Sequence, residues 1–359
     1  MTEVSSLSQF FVLSQYIMST PILKISDISK TYKTFHQDQT FVGSLKSFFY
    51  RKEILVRALK PISFEVQRGE FLGVLGPNGA GKTTTLKILT GLITPSEGQA
   101  LAFGQYDTSL RLPAYLKEIG MVMGQRQQLF PDLPALDAFH ISKALYGIEE
   151  SVFEERLKGF LDLLEIDSKV NIPVRKLSLG ERMKMELILS MLHHPQILFL
   201  DEPTIGLDFH AAKVIREFLR YMNKEFKMTI LLTSHYTKDI EELCERVLLI
   251  NHGQLIYDGP LEKLDERIQG QRIIDLKFKS EEELSIFKTQ LSFLQKPVES
   301  LTLALHEDPL TQRLLIPTKD TQELLSLIFQ QARPNAIADV LVTEQPLDEV
   351  FTQIYRNSK

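Results

Sequence analysis

Gly76-Pro77-Asn78-Gly79-Ala80-Gly81-Lys82-Thr83 is the most informative stretch of this 359-residue chain. It follows a short apolar run, Phe71 to Leu75, and precedes a helical pattern from Thr84 to Thr90, which is the strand–loop–helix context of a phosphate-binding loop. Its glycines let the backbone fold tightly around phosphate oxygens, and the following helix adds a favourable dipole. In such a loop Lys82 reaches the β- and γ-phosphates and the Thr83 hydroxyl ligates Mg²⁺. The predicted nucleotide-binding residues are Gly76, Pro77, Asn78, Gly79, Ala80, Gly81, Lys82, Thr83 and Thr84.

The composition excludes several other classes of protein. A net charge of −5 argues against a nucleic-acid partner, because such proteins usually carry a basic surface. The single cysteine, Cys244, excludes an intramolecular disulfide and a cysteine metal cluster, and we expect it to pack as a small hydrophobe. No apolar run approaches the ~20 residues that cross a bilayer.

The length of the chain predicts two domains. We expect a disordered N-terminal extension over residues 1–21, with Met18 as an alternative start, a first domain over 22–270 and an accessory domain over 271–359. Between an opening strand, Ile22 to Ile28, and about Val56 lies a polar and aromatic insert. The insert is interpreted as a solvated hairpin, with contact to a membrane surface or a partner as the alternative.

Strands alternate with helices in the first domain, as in a parallel α/β sheet. Strands are predicted at Ile197 to Leu200, Thr229 to Thr233 and Val247 to Ile250. From about residue 131 to 192 the strand signals vanish and a helical stripe takes their place, which predicts a helical insertion into the sheet domain. The stripe consists of Phe153, Leu157, Phe160, Leu161 and Leu164.

The last 89 or so residues have a different pattern, a β-α-β-β-α-β order closed by a helix from Leu347 to Tyr355. This order predicts a small α+β domain of the ferredoxin-like type. It contains no recognisable catalytic constellation, and two roles stay open for it, a dimer-stabilising module and a ligand sensor.

Two acids, Asp201 and Glu202, end the buried strand that begins at Ile197. Ligands bind at the carboxyl ends of strands in open α/β sheets, so we expect both acids beside the phosphate loop. There Asp201 can hold Mg²⁺ through water, and Glu202 can polarise the water that attacks the γ-phosphate.

The order of these pieces, with four others, resembles the nucleotide-binding subunit of an ABC transporter over about residues 22 to 265. The chain has counterparts of six of the family's motifs in the right order. Besides the phosphate loop and the Asp201-Glu202 strand, they are the glutamine loop at Gln125, the signature Leu177-Ser178-Leu179-Gly180-Glu181, the aspartate loop Gly206-Leu207-Asp208 and the switch histidine His235.

The resemblance implies an ABC-type phosphate-loop ATPase core with an antiparallel β subdomain and an inserted helical subdomain. It implies ATP and Mg²⁺ as cofactors, with Thr83, Gln125 and Asp201 on the metal. The implied catalytic residues are Glu202, His235, Gln125 and Lys82, and Tyr32 resembles the aromatic residue that stacks on adenine. In this family two subunits pair head to tail, so that Ser178, Gly180, Glu181 and Asp208 complete the partner's ATP site.

The signature departs from the family pattern at two positions. Leu179 replaces the first of two glycines and Glu181 replaces the usual glutamine, whereas Ser178 and Gly180 are kept. We expect Leu179 to alter the rate or geometry of dimer closure without abolishing it.

The resemblance also implies a separate membrane permease, which would hold this subunit at the cytoplasmic face of the cell membrane. The segments around Gln125, the signature and residues 344–351 look most like a multidrug- or viologen-export branch, so export is the favoured direction. An importer ATPase with a regulatory C-terminal domain and a soluble non-transport ABC ATPase are the alternatives. The cargo, and whether the second subunit is identical or a paralogue, do not follow from the sequence.

Overall fold

The computed structural model describes residues 20–35, 53–124, 127–234, 236–264, 271–294, 302–304, 308–317, 321–333, 336–344 and 346–357. The chain divides into two compact units, Met1–Leu261 and Glu262–Lys359. Nearly all of the predicted N-terminal extension and most of the polar and aromatic insert lie outside the described residues. Within the described ranges, no helix is long and apolar enough to span a bilayer.

The first unit contains ten strands and seven α-helices among its described residues. The strands are β1 (Leu23–Phe35), β2 (Glu53–Val66), β3 (Phe71–Leu75), β4 (Glu97–Ala102), β5 (Tyr106–Asp107), β6 (Ile119–Met123), β7 (Ile197–Asp201), β8 (Thr229–Thr233), β9 (Arg246–Asn251) and β10 (Gln254–Pro260). The helices are α1 (Lys82–Leu89), α2 (Pro113–Leu116), α3 (Ala135–Tyr146), α4 (Glu150–Leu163), α5 (Leu179–Met191), α6 (Phe209–Phe226) and α7 (Thr237–Leu243).

A six-stranded sheet in the order β10-β9-β3-β8-β7-β6 positions the candidate site. Strands β9, β3, β8, β7 and β6 are parallel, and β10 returns antiparallel to β9. Because parallel strands end at the same edge, the segments after β3, β6, β7 and β8 all emerge together. Every residue of β3 is buried, which accounts for its continuous apolar run.

A second, antiparallel sheet has the order β2-β1-β4-β5. Strand β1 is longer than predicted, since it continues beyond Ile28 and pairs with β2 as far as Phe35 and Glu53. Register shifts at Ile25, Ile28 and Lys30 interrupt the alternation of apolar and polar side chains, so the sequence pattern of a strand ends before the strand does. A shared apolar core joins this sheet to β3 and α1.

Three helices, α3 to α5, lie between the neighbouring strands β6 and β7, where the helical insertion was predicted. All five residues of the predicted apolar stripe are buried. Cys244, at the end of α7, is also buried, and burial raises the pKa of its thiol, as expected for a packing residue.

The second unit has a four-stranded antiparallel sheet in the order β12-β13-β11-β14. Its elements are β11 (Gln271–Phe278), α8 (Glu281–Leu294), β12 (Thr302–Ala304), β13 (Thr311–Pro317), α9 (Thr321–Gln331), β14 (Ile337–Glu344) and α10 (Leu347–Asn357). Apolar residues of β11 and β13 pack with α8 and α9 in a separate core. The predicted β-α-β-β-α-β order is present, and membership of the ferredoxin-like fold stays a prediction.

Candidate active site

The phosphate loop occupies residues 76–81 between β3 and α1, with little space around its first glycine. A Cβ atom at Gly76 would lie 2.2 Å from the carbonyl oxygen of Ile250 at the end of β9. No side chain fits there, so the neighbouring parallel strand fixes the start of the loop. Helix α1 begins directly at Lys82, which directs its N-terminal N–H groups toward the loop.

Lys82 is held inside this loop. Its Nζ donates hydrogen bonds to the carbonyl oxygens of Gly76, at 2.6 Å, and Pro77, at 3.2 Å. Burial lowers the pKa of the Lys82 ammonium, while the nearby carboxylates of Glu202 and Asp201 act in the opposite direction. The cation is therefore preorganised within the loop, where an anionic ligand would gain most from it.

The carboxylate of Asp201 lies across from the start of α1. The Thr83 hydroxyl oxygen is 3.0 Å from each Asp201 carboxylate oxygen, and Thr233 Oγ1 donates to Asp201 Oδ1 at 2.7 Å. Hydroxyl and carboxylate oxygens are the ligand type that Mg²⁺ prefers, so Thr83 and Asp201 fit the predicted metal site. Thr233 had no predicted role, although it pairs directly with Asp201 across β7 and β8.

Glu202 adopts an unusual backbone conformation, with φ at +57°. Its N–H donates to the Thr233 carbonyl oxygen at 3.0 Å and is 3.1 Å from Thr233 Oγ1. Left-handed backbone at a non-glycine residue persists only where its surroundings enforce it, and such residues cluster at functional sites. Here the hydrogen bonds to Thr233 on β8 hold this backbone conformation, and Glu202 lines the same cleft as Lys82 and Thr83.

These residues line a cleft of about 630 Å³. The lining residues are Ala58, Asn78, Gly79, Ala80, Gly81, Lys82, Thr83, Thr84, Lys87, Met123, Asp201, Glu202 and Ile205. Gly76 and Pro77, at the start of the loop, are not among these lining residues, and their carbonyl oxygens accept hydrogen bonds from Lys82 Nζ. Sequence reasoning missed Lys87, which lies four residues after Thr83 and so on the same face of α1.

Tyr32 is not one of the residues that line the cleft. Its ring is partly exposed on β1, with Lys30 Nζ 5.4 Å from the ring centroid. Its predicted stacking on adenine stays a prediction.

The signature segment forms the capped start of α5. The Glu181 N–H donates to Ser178 Oγ at 3.2 Å, and the Ser178 N–H donates to Glu181 Oε2 at 2.8 Å. This reciprocal capping box lowers the pKa of Glu181, with Lys169, 3.0 Å away, contributing further. A glutamate at position 181 is thus well placed in this helix start, where the family usually has glutamine.

Gly180 and Asp208 lie where α5 meets α6. A Cβ atom at Gly180 would be 2.7 Å from the Cβ of Ala211, so only glycine allows this approach of the two helices. Asp208 caps α6 by accepting a hydrogen bond from the Ala211 N–H at 2.9 Å, and that bond lowers the pKa of its carboxyl group.

The signature and aspartate-loop residues therefore adjoin one another, and none of Ser178, Gly180, Glu181 and Asp208 lines the 630 Å³ cleft. Within one chain, the cleft and this pair of capped helix starts are therefore two separate surfaces.

Gln125 and His235 lie outside the described residues, and their catalytic and metal-binding roles stay predictions. Each of them is preceded by a residue that directly follows a strand, Gly124 after β6 and Ser234 after β8. The Gly124 N–H donates to the Asp201 carbonyl oxygen at 2.8 Å. Both segments thus begin at strands that flank β7 on either side.

Comparison with known proteins agrees with this geometry. The family model for ABC transporters matches residues 59–205. The ABC transporter ATP-binding protein NatA of Bacillus subtilis is 34% identical over 219 residues, which cover 61% of this chain and 88% of that protein. The Nod factor export ATP-binding protein I of Ralstonia nicotianae is 30% identical over 343 residues, covering 94% of this chain and 95% of that protein.

Solved structures show the same fold. An ATP-binding cassette determined as a dimer in a post-hydrolysis state, bound to ADP and Pi, superimposes with a TM-score of 0.55 at 23% identity, covering 67% of this chain and 98% of the other. The cbiO1 subunit from Clostridium perfringens gives a TM-score of 0.54 at 25% identity, covering 69% of this chain and 93% of the other. The chain belongs to the ATP-binding proteins of the ABC transporter family and is an ATP-hydrolysing subunit of a transporter.

Proposed function

We propose that two such subunits close head to tail on ATP and drive export through a separate membrane permease. The observation that carries the first part is that the cleft and the signature helix start are separate surfaces of one chain, each of which would supply one half of an ATP site. The cleft holds Lys82, Thr83, Asp201 and Glu202, whereas the signature glycine Gly180 lies at another helix start. A second subunit that places its signature over this cleft would complete a site that one chain leaves open.

In the closed dimer, Lys82 and the loop N–H groups hold the β- and γ-phosphates. Mg²⁺ bound at Thr83 and Asp201 would neutralise the charge that develops on the phosphate oxygens. Glu202 orients or deprotonates the attacking water from the end of β7. Across the interface, Ser178 and the start of α5 donate to the γ-phosphate of the partner's nucleotide. Hydrolysis removes the group that bridges the two surfaces, so the dimer reopens.

A second cavity supports the permease as a partner. A groove of about 510 Å³, lined mainly by apolar surface, lies between β6 and the helices α3 and α5. Phe130, in the segment between β6 and α3, and Ile141 and Leu145, on α3, line the groove and are exposed. Docking of a short permease helix there would place this subunit at the cytoplasmic face of the membrane.

Export is favoured over import by the extent of one similarity. The likeness to the Nod factor export protein extends over nearly the whole of both chains, C-terminal unit included. The cargo in that protein's name is not assigned to the present chain, because the cargo would be selected by the permease. Transport that persists without an external binding protein would support export, and dependence on one would favour the importer alternative.

The proposed catalytic role of Glu202 is tested by Glu202→Gln. Loss of the general base should lower turnover by about 10²–10⁴-fold, leave ATP binding intact and trap the closed dimer. Turnover and nucleotide affinity should be measured beside the wild-type chain, with dimerisation followed by light scattering. Undiminished turnover in Glu202→Gln would refute the role of Glu202.

The proposed partnership with a separate permease is tested by a tagged pull-down from detergent-solubilised native membranes with mass spectrometry. A polytopic membrane protein at stoichiometric yield would support the permease partnership. Recovery with only soluble partners would favour a non-transport ABC ATPase.

A further inference from the structure

A buried carboxylate, Asp239, lies on α7 just beyond the switch segment and has no part in the chemistry above. Its side chain is 1% exposed, and its oxygens accept hydrogen bonds from three different segments of the first unit. A buried carboxylate is stable only when it is paired and hydrogen-bonded. The three donors therefore have defined positions relative to one another.

The first donor is Thr204, in the segment between Glu202 and the aspartate loop. Its hydroxyl donates to Asp239 Oδ2. The backbone around it is folded into two turns, in which the Ile205 N–H donates to the Glu202 carbonyl oxygen at 3.3 Å and the Leu207 N–H donates to that of Thr204 at 3.2 Å. Holding Thr204 consequently fixes the path of the chain from one catalytic motif to the next.

The second donor is Ser234, which precedes His235 in the sequence. Ser234 Oγ lies 2.8 Å from the same oxygen, Asp239 Oδ2, and accepts a hydrogen bond from the Tyr236 N–H at 2.9 Å. The Asp239 N–H in turn donates to the Tyr236 carbonyl oxygen at 3.2 Å. The residues on both sides of His235 are thus tied to Asp239.

The third donor is Arg216 on α6. Its NH1 group donates to Asp239 Oδ1 at 3.1 Å, and its Nε donates to Glu242 Oε2 at 3.0 Å. Helix α6 begins at the cap residue Asp208, so the ion pair also anchors the helix that carries the aspartate loop.

We propose that Asp239 is a positioning residue that couples the Glu202–Asp208 segment to the segment around His235. In the proposed closed dimer, Glu202 of the first segment acts on the attacking water of its own protomer, and Asp208 of the same segment contributes to the partner's ATP site. The segment around His235 lies at the γ-phosphate of its own protomer. One carboxylate oxygen shared by Thr204 and Ser234 makes the two segments shift together. This inference rests on the proposed function, because it assigns an effect to residues of that catalytic site.

The test uses Thr204→Val and Ser234→Ala in the full chain, singly and together. Each removes one hydroxyl donor and leaves Asp239 paired with Arg216 and the remaining hydroxyl. Thr108→Val is the matched control, since Thr108 is also buried and its hydroxyl donates to the Ile88 carbonyl oxygen, which is not part of this network. Thr204→Ser restores the hydroxyl and serves as the rescue variant. Steady-state ATPase kinetics and thermal unfolding are measured for each.

We expect each single substitution to lower kcat roughly tenfold and to change KM for ATP less than about twofold, because the catalytic segments are displaced while the phosphate loop is intact. Thr204→Ser should restore kcat to within about twofold of wild type, and Thr108→Val should stay within the same range. The double variant should lie within about threefold of the stronger single variant, since both donors act through one oxygen.

Two results would overturn the proposal. The first is that both single variants have the same kcat as Thr108→Val. The second is that the fold-losses in kcat of the two single variants multiply in the double variant. If the isolated subunit turns over ATP too slowly to measure, the readout is instead the ATP concentration needed for dimerisation, measured in chains that also carry Glu202→Gln. An unchanged ATP concentration when Thr204→Val is added would refute the coupling. Failure of Glu202→Gln to lose turnover would instead refute the proposed function, so the two failures are distinguishable.

Discussion

Replacing Gly180 by alanine should push the signature helix away from its neighbour. The added Cβ would lie 2.7 Å from the Cβ of Ala211, whereas carbon atoms in contact are about 3.5–4.0 Å apart. Helices α5 and α6 would have to separate by about 1 Å at this point. The helix start that is proposed to face the partner's γ-phosphate would move by a similar distance.

Two magnitudes follow from this shift. Overpacking of a tight contact costs about 1–3 kcal/mol, partly offset by up to about 1 kcal/mol from the better helix propensity of alanine. Misplacement of catalytic groups by about 1 Å can lower turnover as much as 10²-fold. We therefore expect Gly180→Ala to lower the free energy of unfolding modestly and kcat strongly, with little change in ATP affinity, because the phosphate loop is elsewhere.

The assay is ATPase activity together with thermal unfolding for Gly180→Ala, Ala211→Gly and the double variant. Ala211→Gly removes the Cβ atom that the added methyl group would overlap, so the double variant should recover most of the lost activity. Gly159→Ala is the control, because an added Cβ at Gly159 inside α4 would have no atom within 4 Å apart from the backbone of its own helix, and it should stabilise the chain without altering kcat. Wild-type kcat in Gly180→Ala, or no recovery in the double variant, would contradict the reasoning.

Three further results are expected. Glu181→Ala should lower the free energy of unfolding by about 0.5–1 kcal/mol by removing the capping box, whereas Glu181→Gln should retain most of it. Because the folded state lowers the pKa of Glu181, the ionised group's share of this stabilisation is complete above the unfolded pKa and is lost as pH falls through the lowered folded value. Denaturation at about pH 7 and about pH 3 should therefore show the difference between wild type and Glu181→Ala shrinking in acid. EDTA should abolish ATPase activity and added Mg²⁺ restore it, while Asp201→Asn should need more Mg²⁺ for half-maximal activity; activity that is insensitive to EDTA would exclude the metal role of Asp201. Deletion of Gln271–Lys359 should weaken dimerisation in solution, and an unchanged dimer would leave ligand sensing as the role of that domain.

The residues of the phosphate loop and the acid pair could be predicted because each motif is short in sequence and complete in itself. Lys82, Thr83, Asp201 and Glu202 were predicted to meet, and they line or border one cleft. Strand β8 was predicted with its observed bounds, Thr229–Thr233, because a buried parallel strand is a compact apolar run.

The supporting residues could not be found in the same way. Thr233 holds Asp201, and Asp239 holds Thr204, across more than 30 residues of sequence in each case. Neither pair has a local signature, since each depends on which strands and helices become neighbours. Strand β4, with exposed polar residues at its start, and β6, with a glycine at position 120, also lacked a clear strand pattern.

The contact between Leu179 and the aspartate loop shows what the leucine in place of a signature glycine does in this chain. Its side chain is 42% exposed at the start of α5, and its Cδ2 would lie 3.3 Å from a Cβ atom at Gly206. Gly206 has φ at +72°, so glycine is favoured there by both backbone conformation and the space that Leu179 occupies. In one chain, therefore, the leucine that replaces a signature glycine packs over the aspartate loop. If the signature helix moves toward a partner's nucleotide, as proposed, this contact would couple that movement to the aspartate loop beside Glu202 in the same chain.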